Sequence, residues 1–152
     1  MRRGLIVTGA AAGMAGALGL ALRASDAGDS VALRDDPATL AQGREVYAEH
    51  CASCHGVDLE GAPNWRVRNA DGRLPAPPHD ASGHTWHHDS AALFAITKHG
   101  VGAMIGDPDY ASDMPVYAGV LSDEEIVAVL SFIRSTWPAE IREMHEQRDA
   151  NR

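Results

Sequence analysis

Apolar residues recur at helical spacing in three stretches of the chain. In the first, Leu40, Gly43, Val46 and Tyr47 fall on one face of residues 38–49. Asp36 followed by Pro37 supplies an N-cap and a first helical residue for it. The second is short, Ser90 to Lys98, with Leu93, Phe94 and Ile96 apolar and Gly100 as its stop. The third carries Ile126, Val129, Leu130 and Ile133 behind a Ser122-x-x-Glu125 capping box and ends near Pro138. No period appears from Gly56 to His88, where Pro63, Pro75, Pro77 and Pro78 alternate with Gly56, Gly61, Gly72 and Gly83. A second loop is expected from Val101 to Leu121. Irregular stretches this long are unusual in a compact domain and need an explanation. Residues 139–152 are densely charged and are expected to form a frayed or extended helical tail, with Glu140, Glu143 and Glu146 in solvent.

The amino terminus has a different character. Arg2 and Arg3 precede an uncharged run from Gly4 to Leu22, in which 11 of 19 residues are Gly or Ala. A basic start before an apolar run is the layout of an export signal, and this run is also long enough to anchor in a bilayer. Ser25 and Ala27 offer a cleavage point after Ala27. In either case Arg2 and Arg3 stay in the cytoplasm and the remainder lies in the periplasm, free or held at the inner membrane. The expected organisation is 1–27 signal peptide or N-terminal membrane anchor, 28–36 linker, 37–138 folded domain and 139–152 charged tail.

The 152 residues suit one domain, and the net charge is −8. Without residues 1–27 it becomes −10, from 10 basic and 20 acidic side chains. Such a balance argues against nucleic-acid binding, which needs a basic stripe. It predicts a partner with a basic surface if the acidic groups cluster near the functional site.

Two cysteines cannot build a disulfide scaffold, but their spacing is informative. Cys51-Ala-Ser-Cys54-His55 has the C-x-x-C-H spacing of c-type haem attachment. Two thiols one helical turn apart can add to the two vinyl groups of a porphyrin, and the adjoining His55 then lies beneath the iron. Three rival readings exist. A dithiol redox site opens a helix after a strand, and here a helix precedes the motif. A zinc site would recruit two of the eight His residues. A Cys51–Cys54 disulfide would close a very tight ring. For a second iron ligand, Met1 and Met14 lie in the leader and Met144 in the tail, which leaves Met104 and Met114. Pro115 pushes Met114 into an extended conformation just before the last helix, so its side chain can project from an anchored loop. Met104, or a His, remains an alternative.

The chain resembles the small bacterial class I c-type cytochromes over roughly residues 38–137. The resemblance rests on Gly43-x-x-x-Tyr47-x-x-x-Cys51-x-x-Cys54-His55-Gly56, on Met114-Pro115-x-Tyr117 and on Leu121-Ser122-Asp123-Glu124-Glu125-Ile126. It implies an all-α class I cytochrome c fold, with N- and C-terminal helices crossing over one covalently bound haem and long irregular loops packed against it. It further implies that Gly43 admits the last helix, with Tyr47 and Phe132 at the crossing. A prolyl carbonyl is expected to hold the Nδ1 proton of His55, and Pro63 matches that position.

One stretch departs from the family pattern. Five of the eight His fall between His79 and His99, including His84, His87 and His88. They could form a copper or zinc site, or bond loop carbonyls and haem propionates, with Trp86 packed on the haem edge and Arg73 or Trp86 on a propionate. The leading expectation is electron transfer by a His55/Met114-ligated haem c, held through Cys51 and Cys54, as a periplasmic shuttle or a small subunit of a membrane oxidoreductase, with redox proteins as partners. The alternatives are a haem enzyme or gas sensor with an open iron, and a metal-handling module built on the His79–His99 cluster.

Overall fold

The structure is a computed structural model that describes Met1 and residues 31–152; the expected leader therefore lies outside the described residues. Helix α1 runs Pro37–His50, and the Asp36 carboxylate accepts the Thr39 amide proton at 3.0 Å. A single turn, α2 (Ala52–His55), follows and stops at Gly56, whose φ of +83° suits a residue without a side chain. Helix α3 spans Ser90–His99 and α5 spans Asp123–Ser135. The Ser122/Glu125 capping box is formed in both directions. Among the described residues there is no strand, only an isolated bridge between Ala118 and Leu121.

The centre of the molecule is the crossing of α1 and α5. A Cβ on Gly43 would overlap the Ala128 carbonyl and stand 2.8 Å from the Phe132 Cβ. Only glycine permits that approach. Beside it the Tyr47 and Phe132 rings lie 5.6 Å apart. Ile126, Val129, Leu130 and Ile133 complete the buried face of α5, as their spacing predicts.

Three expectations change. Residues 101–121 are not wholly loop, because α4 (Val101–Ile105) makes a short helix that ends at Gly106 in the left-handed region. It buries no residue, so apolar periodicity could not reveal it. The segment before Asp36 is not a free linker throughout. The Arg34 amide donates to Ser131 Oγ at 2.9 Å, and Asp35 pairs with the buried Arg134 at 2.7 Å. The carboxyl-terminal tail is a docked helix, α6 (Ala139–Ala150). His145 is fully buried against Trp137, and Asp149 accepts from both the amide and the hydroxyl of Ser90 at 2.7 Å. Apart from Ile141, which packs on the core, these anchors are a hydrogen-bonded carboxylate and a histidine ring, which is why the hydrophobic pattern did not signal docking. Glu140, Glu143 and Glu146 are exposed, as expected.

Residues 62–76 leave the body and return. The Ala62 amide bonds the Ala76 carbonyl at 2.8 Å, closing the excursion at its base. Its tip is organised by Asn69, whose side-chain oxygen accepts from the amides of Asp71 and Arg73.

Candidate haem-binding site

Cys51 caps the end of α1, while Cys54 and His55 lie on α2. One helical turn thus sets the two thiols and the imidazole in sequence. Both cysteines are free thiols. Burial, with a smaller contribution from the neighbouring Cys54, pushes the Cys51 thiol up to about 11, so it stays protonated at neutral pH.

His55 is buried, and its Nδ1 lies 2.8 Å from the Pro77 carbonyl. A carbonyl only accepts, so Nδ1 carries the proton and Nε2 keeps its lone pair. Burial lowers the His55 pKa, against a smaller opposing effect of the Pro77 bond. The ring is therefore neutral and basic at Nε2, the form a metal requires.

The expected role of Pro63 is corrected here: the carbonyl belongs to Pro77. The reason is the excursion. Because residues 62–76 close on themselves, the chain resumes at Pro77 beside the place where it departed at Gly61. A Cβ on Gly61 would stand 2.7 Å from the Pro77 carbonyl carbon, which measures how close the two ends lie. Pro63 is exposed on the outgoing limb.

Met114 is half-buried against the main core cluster, which Cys51 and Ala52 also border. Its loop is fastened on both sides. Tyr117 donates its hydroxyl proton to the His50 carbonyl at 2.7 Å, and the Tyr117 and Ala118 amides bond Thr97 and Lys98 at the end of α3. Before it, Asp113 pairs with Arg73 of the excursion at 2.6 Å. Met104 lies on α4, more exposed.

The histidine-rich stretch does not converge on a metal. Among the described residues no group of three or more His, Cys, Asp or Glu is arranged to hold one. His84 stacks on Trp65 at 5.2 Å, His87 stacks on Trp86 at 3.7 Å and His99 is exposed. His79 turns inward and lies face to face with His55, ring centres 4.0 Å apart. Its pKa is held well below the usual histidine value, chiefly by burial and then by His55 and His84. The sequence reading missed the pairing of Pro77 and His79 with His55. Its signal was the rigid Pro77-Pro78 pair, placed just after a turn-forming Asn69-Ala-Asp-Gly72 that brings the chain back.

Residues 40–137 match the family model for Cytochrome c. The helical fold and the C-x-x-C-H site agree with that match, and the chain belongs to the cytochrome c family. Two curated relatives are similar in part. The cbb3-type cytochrome c oxidase subunit FixP of Rhizobium etli is 32% identical over 103 residues, covering 64% of this chain and 32% of that protein. The cbb3-type cytochrome c oxidase subunit FixPc of Rhizobium leguminosarum bv. viciae is 30% identical over 95 residues, 62% of this chain and 29% of the relative. The chain thus spans about a third of the length of the curated relatives it matches. No solved structure matches.

Family membership implies covalently bound haem c, and the residues fit that group. The donor set, two free thiols beside a neutral imidazole, is the one such attachment uses. The Trp86 indole N–H is buried and has no acceptor among the described residues. A haem propionate is an acceptor of the right chemistry for it. Among the described residues no helix is long and apolar enough to cross a membrane.

Proposed function

We propose that this cytochrome c transfers single electrons through a haem that Cys51 and Cys54 would hold, with His55 and Met114 as the residues that would ligate its iron. The observation that carries the reading is the His55 geometry, in which the Pro77 carbonyl holds the Nδ1 proton and Nε2 is left basic. Cys51 and Cys54, both free thiols, would hold the haem through thioether bonds. When bound, the haem supplies a one-electron ferric/ferrous couple, and a thioether ligand favours the ferrous state. The protein's part is to orient and to exclude. Pro77 fixes the tautomer of His55. Tyr117 ties the Met114 loop to the end of α1. The buried face of α5 keeps water from the interior. With both His55 and Met114 bound to it the iron would offer no place for a substrate, which favours outer-sphere exchange over catalysis or gas sensing.

The segment 1–27 supports export, and the domain 37–138 would then act in the periplasm, free or anchored. Similarity to the two FixP proteins favours a role as a subunit of an oxidase over that of a free shuttle. The acidic balance favours a partner with a basic face, although Arg66, Arg68 and Arg73 make the excursion a local exception.

The test is an absorption spectrum of wild-type protein and Met114→Ala, purified from cells able to attach haem. The wild type is expected to show the weak ferric sulfur-to-iron band and the variant to lack it. Retention of the band would transfer the role to Met104. Tight carbon monoxide binding by the reduced wild type at neutral pH would overturn the saturated-iron reading.

A further inference from the structure

The segment Pro77-Pro78-His79 meets His55 twice. Pro77 engages the edge of the imidazole through its carbonyl, 2.8 Å from Nδ1. His79, two residues on, covers a face of the same ring, with centres 4.0 Å apart and planes inclined by 23°. Two consecutive prolines stiffen the connection, so edge and face contacts form as one unit.

His79 is itself held on every side. Its amide donates to the Leu59 carbonyl at 2.8 Å, and its carbonyl accepts from the Trp137 indole at 2.7 Å. Its Nδ1 lies 2.8 Å from Thr85 Oγ1, and that hydroxyl lies 3.3 Å from the Pro78 carbonyl. The carbonyl can take only the hydroxyl proton, so Thr85 accepts from Nδ1–H of His79. The edge of Tyr47 approaches the same ring, centroids 6.3 Å apart. Among the described residues no other histidine of the His79–His99 stretch is tied to both the α1/α5 crossing and the iron-ligand candidate.

We propose that His79 is a positioning residue for the proximal ligand: its tethered ring fixes the plane of His55, the rotation about the ring's long axis that a single edge bond to Pro77 leaves soft. The inference rests on His55 being an iron ligand. A ligand plane held by a stacked ring selects one overlap with the iron d orbitals, and unpaired spin on the porphyrin is distributed accordingly. Paramagnetic NMR shifts of the four haem methyls report that distribution.

The experiment compares ferric wild-type protein with His79→Leu, His79→Phe and Thr85→Val, all carrying haem. Leucine removes the stacking face. Phenylalanine restores it without the tether. Valine keeps the imidazole and removes the group that fixes it. The expected result is an altered order or spread of the methyl shifts and a shifted midpoint potential in His79→Leu, a return toward the wild-type pattern in His79→Phe, and an intermediate displacement in Thr85→Val. A wild-type pattern in His79→Leu overturns the proposal, as does a His79→Phe pattern displaced as far as that of leucine. Should His79→Leu fail to fold, Thr85→Val decides alone, and an unchanged pattern there overturns it. Failure of the underlying reading looks different: wild-type protein would then lack covalent haem, or its methyl shifts would lack the low-spin signature of a ligated imidazole.

Discussion

Gly43 and Ala128 meet at the α1/α5 crossing with no space for another carbon atom between them. The obstacle is a backbone carbonyl in the middle of a helix, which cannot rotate away. Gly43→Ala therefore separates the helices instead of merely crowding a side chain. We expect a loss of about 3 kcal/mol, at the upper end for overpacking. The midpoint in guanidinium chloride, followed by helical circular dichroism, measures it. A loss under about 0.5 kcal/mol, the range of neutral surface changes, would mean the crossing is looser than described.

Tyr117 joins the Met114 loop to the end of α1 through a part-buried 2.7 Å hydrogen bond. Tyr117→Phe removes that bond and leaves the His50 carbonyl short of an acceptor's partner, at a cost of roughly 1–2 kcal/mol. Its effect should concentrate on the loop. The sulfur-to-iron band is expected to disappear at a lower denaturant concentration than helical structure does, whereas wild type should lose both together.

The indole N–H of Trp86 is a buried donor without an acceptor among the described residues. If a propionate is its partner, Trp86→Phe in haem-loaded protein forfeits a charge-assisted bond of about 1.5–3 kcal/mol. Calorimetry should then show a lower melting temperature. An unchanged one would disconnect the indole from the propionate.

His145 is fully buried, and neither ring nitrogen has a hydrogen-bond partner among the described residues. Burial lowers its pKa, against a smaller opposing pull from Asp149. The unfolded state therefore binds a proton more readily than the folded state. Above the ordinary histidine value of about 6.5 neither state is protonated and stability is unaffected. As pH falls below it, the unfolded state gains the proton first and stability declines. His145→Leu should remain within about 1 kcal/mol of wild type at pH 7.5, because it removes two unsatisfied polar atoms along with an aromatic contact. Its stability should fall less between pH 6.5 and 5 than that of wild type. Parallel urea titrations at several pH values test this; equal declines would contradict it.

The parts of the molecule legible in the sequence are those where packing and periodicity coincide. Leu40, Val46 and Tyr47 mark α1, Ile126 to Ile133 mark α5, and Gly43 shows where they meet, because each is a consequence of one helix facing another. Cys51, Cys54 and His55 are legible because attachment chemistry dictates their spacing. What escaped depends on polar or through-space relations. Helix α6 is held by Asp149 on Ser90 and by a histidine against Trp137, neither of which leaves an apolar stripe. Pro77 replaces Pro63 at the imidazole because 15 intervening residues close on themselves, and no local pattern measures the distance between the ends of a loop. His79 looked like one member of a metal-binding cluster, whereas its neighbours His84 and His87 each pair with a tryptophan instead.

The excursion of residues 62–76 has both feet joined by one backbone hydrogen bond. Beyond its feet it touches the body through Trp65 on His84 and Arg73 on Asp113, which leaves its tip open to change. Closing a loop grows more costly only slowly with its length, so segments could be added or trimmed at its tip without disturbing Pro77 where it grips the imidazole. The same architecture makes it a natural graft point: a peptide tag, a fluorophore or a surface-binding sequence inserted near Asp71-Gly72 would ride on the domain, provided that Arg73 keeps its pairing with Asp113 ahead of Met114.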